Sequence, residues 1–189
     1  MRIPPRPHLL GIDDGPFEKF VDERVPLVGV MMEGADLIEG VATTSFPVDG
    51  AGVAEFLAEW VGALRCRAAL HGVVLGGITI AGLAVVDVAL LSDRLGLPVL
   101  VVNRRDPGKT RLREALEAAG VPERWALVER APAAVRVGDG LYLAAAGVER
   151  DVAMALVRAA LAKSGVPEPL RVAHLIARAL VRGESHGRV

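Results

Sequence analysis

Cysteine is nearly absent. Cys66 stands alone in 189 residues, which excludes a disulfide framework and a cysteine-built zinc site. Aromatic residues make up 4% against 52% hydrophobic overall, so a core must be assembled mostly from Ala, Val and Leu. Every apolar run is broken by Gly or Asp well short of the ~20 residues of a membrane span. The proline-rich start, Met1 to Pro7, lacks the apolar centre of a secretory leader, and a soluble cytoplasmic protein is the expectation. Lysine is also scarce, at three of 22 basic residues. The net charge of −1 excludes a globally basic nucleic-acid binder but leaves local patches open. His8, His71, His174 and His186 show no short ligand spacing. No internal repeat or low-complexity tract is present, and the length suits one domain over 1–189 with a loose polar tail at 183–189.

What the chain does have is an early apolar run, His8 to Ile12, that delivers Asp13 and Asp14 at its end, followed by Gly15. A buried strand ending in acids is how α/β folds bring metal-binding or acid–base groups to a sheet edge. Strand alternation sends the two side chains to opposite faces, so one of them, Asp13, is expected to enter a site. The competing reading is a turn in which the carboxylates bond their own backbone.

Val25 to Met32 and Leu37 to Val48 read as two further strands, completing a three-strand antiparallel meander. Val53, Phe56, Leu57, Trp60, Val61 and Leu64 recur at spacings of 3 and 4 and predict a helix. Gly72 to Leu75 is a short buried strand, Ala81 to Leu95 a helix, Leu97 to Val102 a strand and Thr110 to Ala119 a helix. This alternation predicts parallel strands with crossover helices. Trp125 to Glu129, Val135 to Val137 and Tyr142 to Ala145 are short strand candidates. Two helices follow, Glu149 to Ala162 and Pro169 to Val181. Three antiparallel strands, a helix and then parallel βαβ units make a ribonuclease H-like mixed sheet. Such a sheet carries metal-binding carboxylates at the ends of its first strand, the following helix and the fourth strand.

Asp49 sits at a strand-to-helix junction, where it either caps the helix or joins Asp13 at a metal. Asp87 falls inside the helix from Ala81 and reads as structural. Asn103 to Thr110 ends in Gly108-Lys109-Thr110 between a strand and a helix, but Asn103 stands where a phosphate loop has its first glycine. Arg104, Arg105 and Lys109 from this loop are instead candidate contacts to a phosphate backbone. Glu149 and Asp151 read as helix-start acids, His174 as a core or hydrogen-bonding residue, and Arg171, Arg178 and Arg182 as a solvated face.

With these residues laid out, the chain resembles the endonuclease dU family, mainly archaeal and formerly uncharacterised, which is similar in turn to endonuclease V. The resemblance rests on Gly11 to Phe17, Val48-Asp49-Gly50, Gly77 to Gly82 with Val85-Val86-Asp87, and Leu97-Pro98-Val99 with Arg104-Arg105. It rests above all on the long run from Pro167 to Ala177, followed by Arg182 to Ser185. It implies a Mg²⁺-dependent ribonuclease H-like nuclease acting on DNA with deaminated bases such as deoxyuridine, with no membrane partner. Asp13 would fall on the first-strand metal aspartate of endonuclease V, and Arg104 near its phosphate-binding lysine. Asp13 and Asp49 would then be catalytic, with Asp14 joining them around Mg²⁺ or Mn²⁺. The departures are Gly76-Gly77, where endonuclease V has Asp-Gly at the end of its fourth strand, Val148, where it has histidine, and its helix-start glutamate, which has no clean counterpart, Asp49 and Glu55 both lying close. Gly76 leaves a second expectation open, a nucleic-acid-binding module of the same fold with impaired cleavage. A domain for small molecules or protein contacts is a third.

Overall fold

The first strand lies inside the sheet, between two neighbours, because it is apolar on both faces. In the computed structural model, which describes residues 3–105, 109–138, 140–162 and 165–186, β1 (His8–Asp14) lies between β2 (Arg24–Glu33) and β4 (Gly72–Leu75). β3 (Leu37–Pro47) flanks β2, so β1, β2 and β3 form the expected antiparallel meander. After α1 (Val53–Gly62) and a short 3-10 turn, β4 returns parallel to β1. A two-residue hairpin, β5 (Thr79–Ile80) and β6 (Ala84–Val85), leads into α2 (Val88–Leu95) and then β7 (Val99–Asn103), parallel to β4. α3 (Lys109–Ala118) and α4 (Trp125–Arg130) precede β8 (Val135–Gly138) and β9 (Leu141–Ala146), and α5 (Arg150–Ala159) and α6 (Glu168–Arg182) follow. The seven-stranded sheet has the order β3-β2-β1-β4-β7-β9-β8.

Alternation decides which helix covers which side. Leu10 and Ile12 of β1, Val73 and Leu75 of β4 and Val99 and Val101 of β7 face α1 and α2, against Leu57, Val61 and Leu91. The intervening residues, Leu9, Val74, Leu100 and Val102, face α5 through Leu156 and Val157, with Leu170 of α6 beside them. Val28 and Val30 of β2 take Ala173 and Ala177 of α6. The sequence supplies small residues where backbone meets backbone. A Cβ added to Gly11 would run into the backbone of Pro169 and Leu170, so β1 and the start of α6 touch without an intervening side chain.

Three expectations are corrected. Ala81 to Leu95 is not one helix: its first part turns back as the β5–β6 hairpin, because Ala81 and Gly82 adopt left-handed φ of 51° and 88°. Asp87 is therefore not mid-helix but caps α2, accepting from Leu90 N–H at 3.1 Å. Trp125 to Glu129 is helical, seeded by the 3-10 turn Pro122–Arg124, and its one fully buried contact is Val128 against Leu116 and Val85. The parallel run stops at β7, since β9 pairs antiparallel with β7 and β8 antiparallel with β9. The two C-terminal helices stand as expected. Of the 183–189 tail, residues 187–189 lie outside the described residues.

Candidate active site

At the end of β1, Asp13 and Asp14 diverge as alternation requires, yet both stay at the same sheet edge. Asp13 turns toward α6, where its Oδ2 lies 2.6 Å from Nδ1 of His174. That hydrogen bond raises the imidazole above its ordinary pKa, against opposing burial and the charge of Arg178. Asp14 turns toward the β5–β6 hairpin and accepts the Ala81 backbone N–H at 2.7 Å. Burial pushes Asp14 up to about 6, and the Asp13 charge adds to the push. The two carboxylates thus meet different elements, Asp13 the helix α6 and Asp14 the hairpin.

Asp49 joins them through the hairpin. Its backbone N–H donates to Ala81 O at 2.8 Å and its Oδ1 accepts from Leu83 N–H at 2.6 Å. Ala81-Gly82-Leu83 is therefore held between two acids, Asp14 on one side and Asp49 on the other. Glycine is required at its centre, because a Cβ on Gly82 would meet Asp49 Oδ1. Asp49 and Ala81 are non-glycine residues at left-handed φ of 54° and 51°, a conformation that costs energy and collects at functional sites. Arg124 secures the clasp, donating to Asp49 O at 2.6 Å and Leu83 O at 2.8 Å. Asp49 does not cap α1; Gly52 holds that position without a side-chain bond.

The remaining candidates are less gathered. Ile12 pairs with Leu75, so Gly76 and Gly77 continue alongside Asp13 and Asp14. Arg104 and Arg105 follow β7 and are exposed at the edge where β1 and β4 also end. Lys109 opens α3, but its side chain and residues 106–108, with most of the Gly108-Lys109-Thr110 loop, lie outside the described residues. Sequence reasoning read His174 as a core or hydrogen-bonding residue without naming Asp13 as its partner, and did not anticipate the Ala81 and Leu83 amides. A glycine interrupting the apolar run Ile78 to Val88 was the available signal for the hairpin. His174 had none, since it lies 161 residues from Asp13.

A second acidic group lies at the opposite end of β1. His8, Glu33 and Glu39 bring ligand atoms within 4.8 Å of one another. Arg6 already holds Glu33 at 3.2 Å, and His8 Nδ1 is buried without a partner. His8 Nε2 lies 2.9 Å from Glu39, so each member of the group already has a polar contact.

Asp13, Asp14 and Asp49 offer oxygen donors, but their ligand atoms are not gathered within 4.8 Å of one another as those of His8, Glu33 and Glu39 are. Burial first and the Asp13 charge second push Asp14 up to about 6, and a hard divalent ion such as Mg²⁺ or Mn²⁺ would favour its charged form. The same burial sets a pH dependence. Between an unfolded value of 3.8 and a folded value of about 6, the folded chain binds a proton the unfolded chain has released. Stability therefore falls as pH rises through that window and levels off above it. Asp14→Asn is expected to raise metal-free stability at pH 7.5, by at most about 3 kcal/mol, with the gain vanishing below pH ~4. Thermal unfolding of both proteins across pH 3.5–8 checks this, and a difference independent of pH would contradict it.

A family model described as endonuclease dU matches residues 5–181. A UPF0215 protein from Methanothermobacter thermautotrophicus is 42% identical over 95% of this chain and 90% of its own length. A protein of unknown function from Archaeoglobus fulgidus superposes with a TM-score of 0.86 at 32% identity, covering 94% of this chain and 100% of that one. Endonuclease V from Ciona intestinalis, in complex with DNA containing an inosine followed by a ribo-adenosine, superposes at 0.58. The identity there is 13%, over 89% of this chain and 82% of that one, a likeness of fold.

Proposed function

The chain belongs to the endonuclease dU family, and from that premise we propose a metal-dependent endonuclease that cuts DNA at deaminated bases such as deoxyuridine. The observation that carries the reading is that Asp14, beside Asp13 at the end of β1, and Asp49 each accept a backbone N–H from the same Ala81–Leu83 segment. The strand order β3-β2-β1-β4-β7 supports a ribonuclease H-like arrangement, whose acids stand at this edge. The DNA seen with endonuclease V of the same fold supports nucleic acid as the partner.

In this reading Asp13, Asp14 and Asp49 hold Mg²⁺ or Mn²⁺. When bound, the ion makes water nucleophilic near neutral pH and stabilises the leaving oxygen. His174 orients Asp13 by its hydrogen bond to Oδ2. The Ala81 and Leu83 amides do the same for Asp14 and Asp49, each taking one carboxylate oxygen. Arg104 and Arg105, with Lys109, would hold phosphate and make binding fall with added salt. The test is nicking of a duplex oligonucleotide with one uracil, in Mg²⁺ or Mn²⁺, beside an undamaged control. Cleavage at the uracil strand supports the reading, and no cleavage in either metal refutes it.

One observation favours a binding module with impaired cleavage, the bare backbone at Gly76. It also permits a gain-of-function experiment. A Cβ at Gly76 would touch only Leu170 methyls at 3.8 Å, and the residue is not in a left-handed conformation. A Cβ there needs no movement of backbone. Gly76→Asp is expected to tighten Mn²⁺ binding on the order of tenfold, as an added carboxylate ligand does. Calorimetric titration reads it, and unchanged affinity would separate Gly76 from the metal.

A further inference from the structure

The start of β1, at the end of the strand away from the acids, brings metal-ligating groups together from three strands. His8 pairs with Glu33 at the last position of β2, so the two side chains stand on one face of the sheet. Glu39 reaches them from β3 through an irregularity. The β2–β3 register runs from Met31 opposite Gly40 directly to Met32 opposite Ile38, which leaves Glu39 as the extra residue of a bulge. A bulge re-aims a side chain, and here Glu39 Oε2 comes to 2.9 Å from His8 Nε2, across the width of β2. One ligand atom from each of the three residues lies within 4.8 Å of the other two.

His8 is held ready as a ligand. Its backbone N–H donates to His71 Nδ1 at 3.1 Å, and its carbonyl accepts the His71 N–H at 2.9 Å. The two rings stack at 5.6 Å with 15° between their planes, so stacking sets the orientation of an imidazole whose Nδ1 has no partner. The charge here is unbalanced. Glu33, Asp36 and Glu39 share the guanidinium of Arg6, three negative charges against one positive, a sum of −2 before His8 is counted. The contacts in place can also be exchanged. Arg6 bonds Asp36 at 2.8 Å as well as Glu33 at 3.2 Å, so it keeps a partner when Glu33 turns to a cation. Glu39 is exposed and Glu33 half-buried, and both side chains are long enough to swing. Tetrahedral zinc at ~2.1 Å from its ligands holds them ~3.4 Å apart. The 2.9 Å contact opens slightly to meet that spacing and the wider ones close, with no backbone movement.

We infer that His8, Glu33 and Glu39 bind a divalent transition-metal ion, with Zn²⁺ the natural occupant and water completing its shell. The imidazole selects against Mg²⁺ and Ca²⁺, which take oxygen ligands, and the two carboxylates select against soft Cu(I). β1 spans seven residues, so the ion lies ~20 Å from Asp14 and is separate from the acids at the other edge. Its effect is to clip the ends of β1, β2 and β3 together. This inference stands apart from the proposed function and needs no nucleic acid to test.

Calorimetric titration of the metal-free chain with Zn²⁺ compares the wild type with His8→Gln, Glu39→Gln and Asp13→Asn, each shown to be folded by thermal unfolding. The wild type and Asp13→Asn are expected to bind one ion alike at this end of the sheet. His8→Gln and Glu39→Gln should weaken that binding ~10-fold or more, the least that damage to a ligand shell costs. Because Glu39 is exposed, its variant decides the matter if His8→Gln fails to fold. Co²⁺ in place of Zn²⁺ gives a second readout, a visible absorption band that should be present in Asp13→Asn and lost in the other two variants. Unchanged Zn²⁺ affinity in His8→Gln and Glu39→Gln, or no Zn²⁺ binding by the wild type, overturns the inference. Binding lost in Asp13→Asn alone would give the ion to the other edge and overturn it equally.

Discussion

Asp13→Asn is expected to cut Mg²⁺-dependent nicking of a uracil-containing duplex by about 10³-fold or more. The substitution keeps the side chain's shape and can still present an oxygen to His174, so the 2.6 Å contact to α6 has a replacement. What it removes is charge at the one acid that faces away from the β5–β6 clasp. Charge stabilisation by a bound ion is worth several kcal/mol, and each 1.36 kcal/mol is tenfold in rate. Asp14 and Asp49 each commit an oxygen to a backbone amide, so neither can take over both roles. Single-turnover nicking at matched protein concentration measures the loss. Oligonucleotide binding in EDTA should stay within a few-fold of the wild type, which separates lost chemistry from lost substrate. A variant that cuts within threefold of the wild type would remove Asp13 from the site.

Gly11→Ala is expected to destabilise the fold by about 3 kcal/mol or more, the upper range for overpacking. Most crowded side chains escape by changing rotamer. The atoms that the new methyl would meet, in Pro169 and Leu170, are backbone and belong to the first turn of α6. Either α6 lifts from β1 or the strand bends, and both moves open the packing of Val28 and Val30 on Ala173 and Ala177. For a chain of this length the melting temperature should drop ~6–12 °C. His174 lies one turn along α6, so the contact to Asp13 should loosen as well. A melting temperature within 1 °C of the wild type would show that this approach is less tight than described.

How much of this was legible in the sequence follows the range of the interactions. The meander was readable because each strand carries its own pattern, and the His8 to Ile12 run placed both acids at a strand end by local evidence alone. Asp49 was readable as a junction residue, but not as the partner of Leu83. The hairpin was hidden because its strands are two residues each and their apolar side chains merge with those of α2. Trp125 to Glu129 was misread because five residues with four apolar positions fit either period, and the preceding Pro122 turn settled the matter. The direction of β9 depends on a return past β7 that no local signal announces. His174 reaches Asp13 only once the sheet and α6 have come together, a tertiary fact with no counterpart in spacing.

The docking of α6 on β1 also orders events in time. Asp13 and His174 are separated by 161 residues, so their meeting closes a loop that spans nearly the whole chain. Contacts of that range are made late and slow the search for the native state. A ribosome-bound chain that has not yet released residues 168–182 holds its acids on a strand with one side uncovered. The site is therefore assembled as a final step of maturation, and a chain interrupted before that helix would carry every acid without an organised centre.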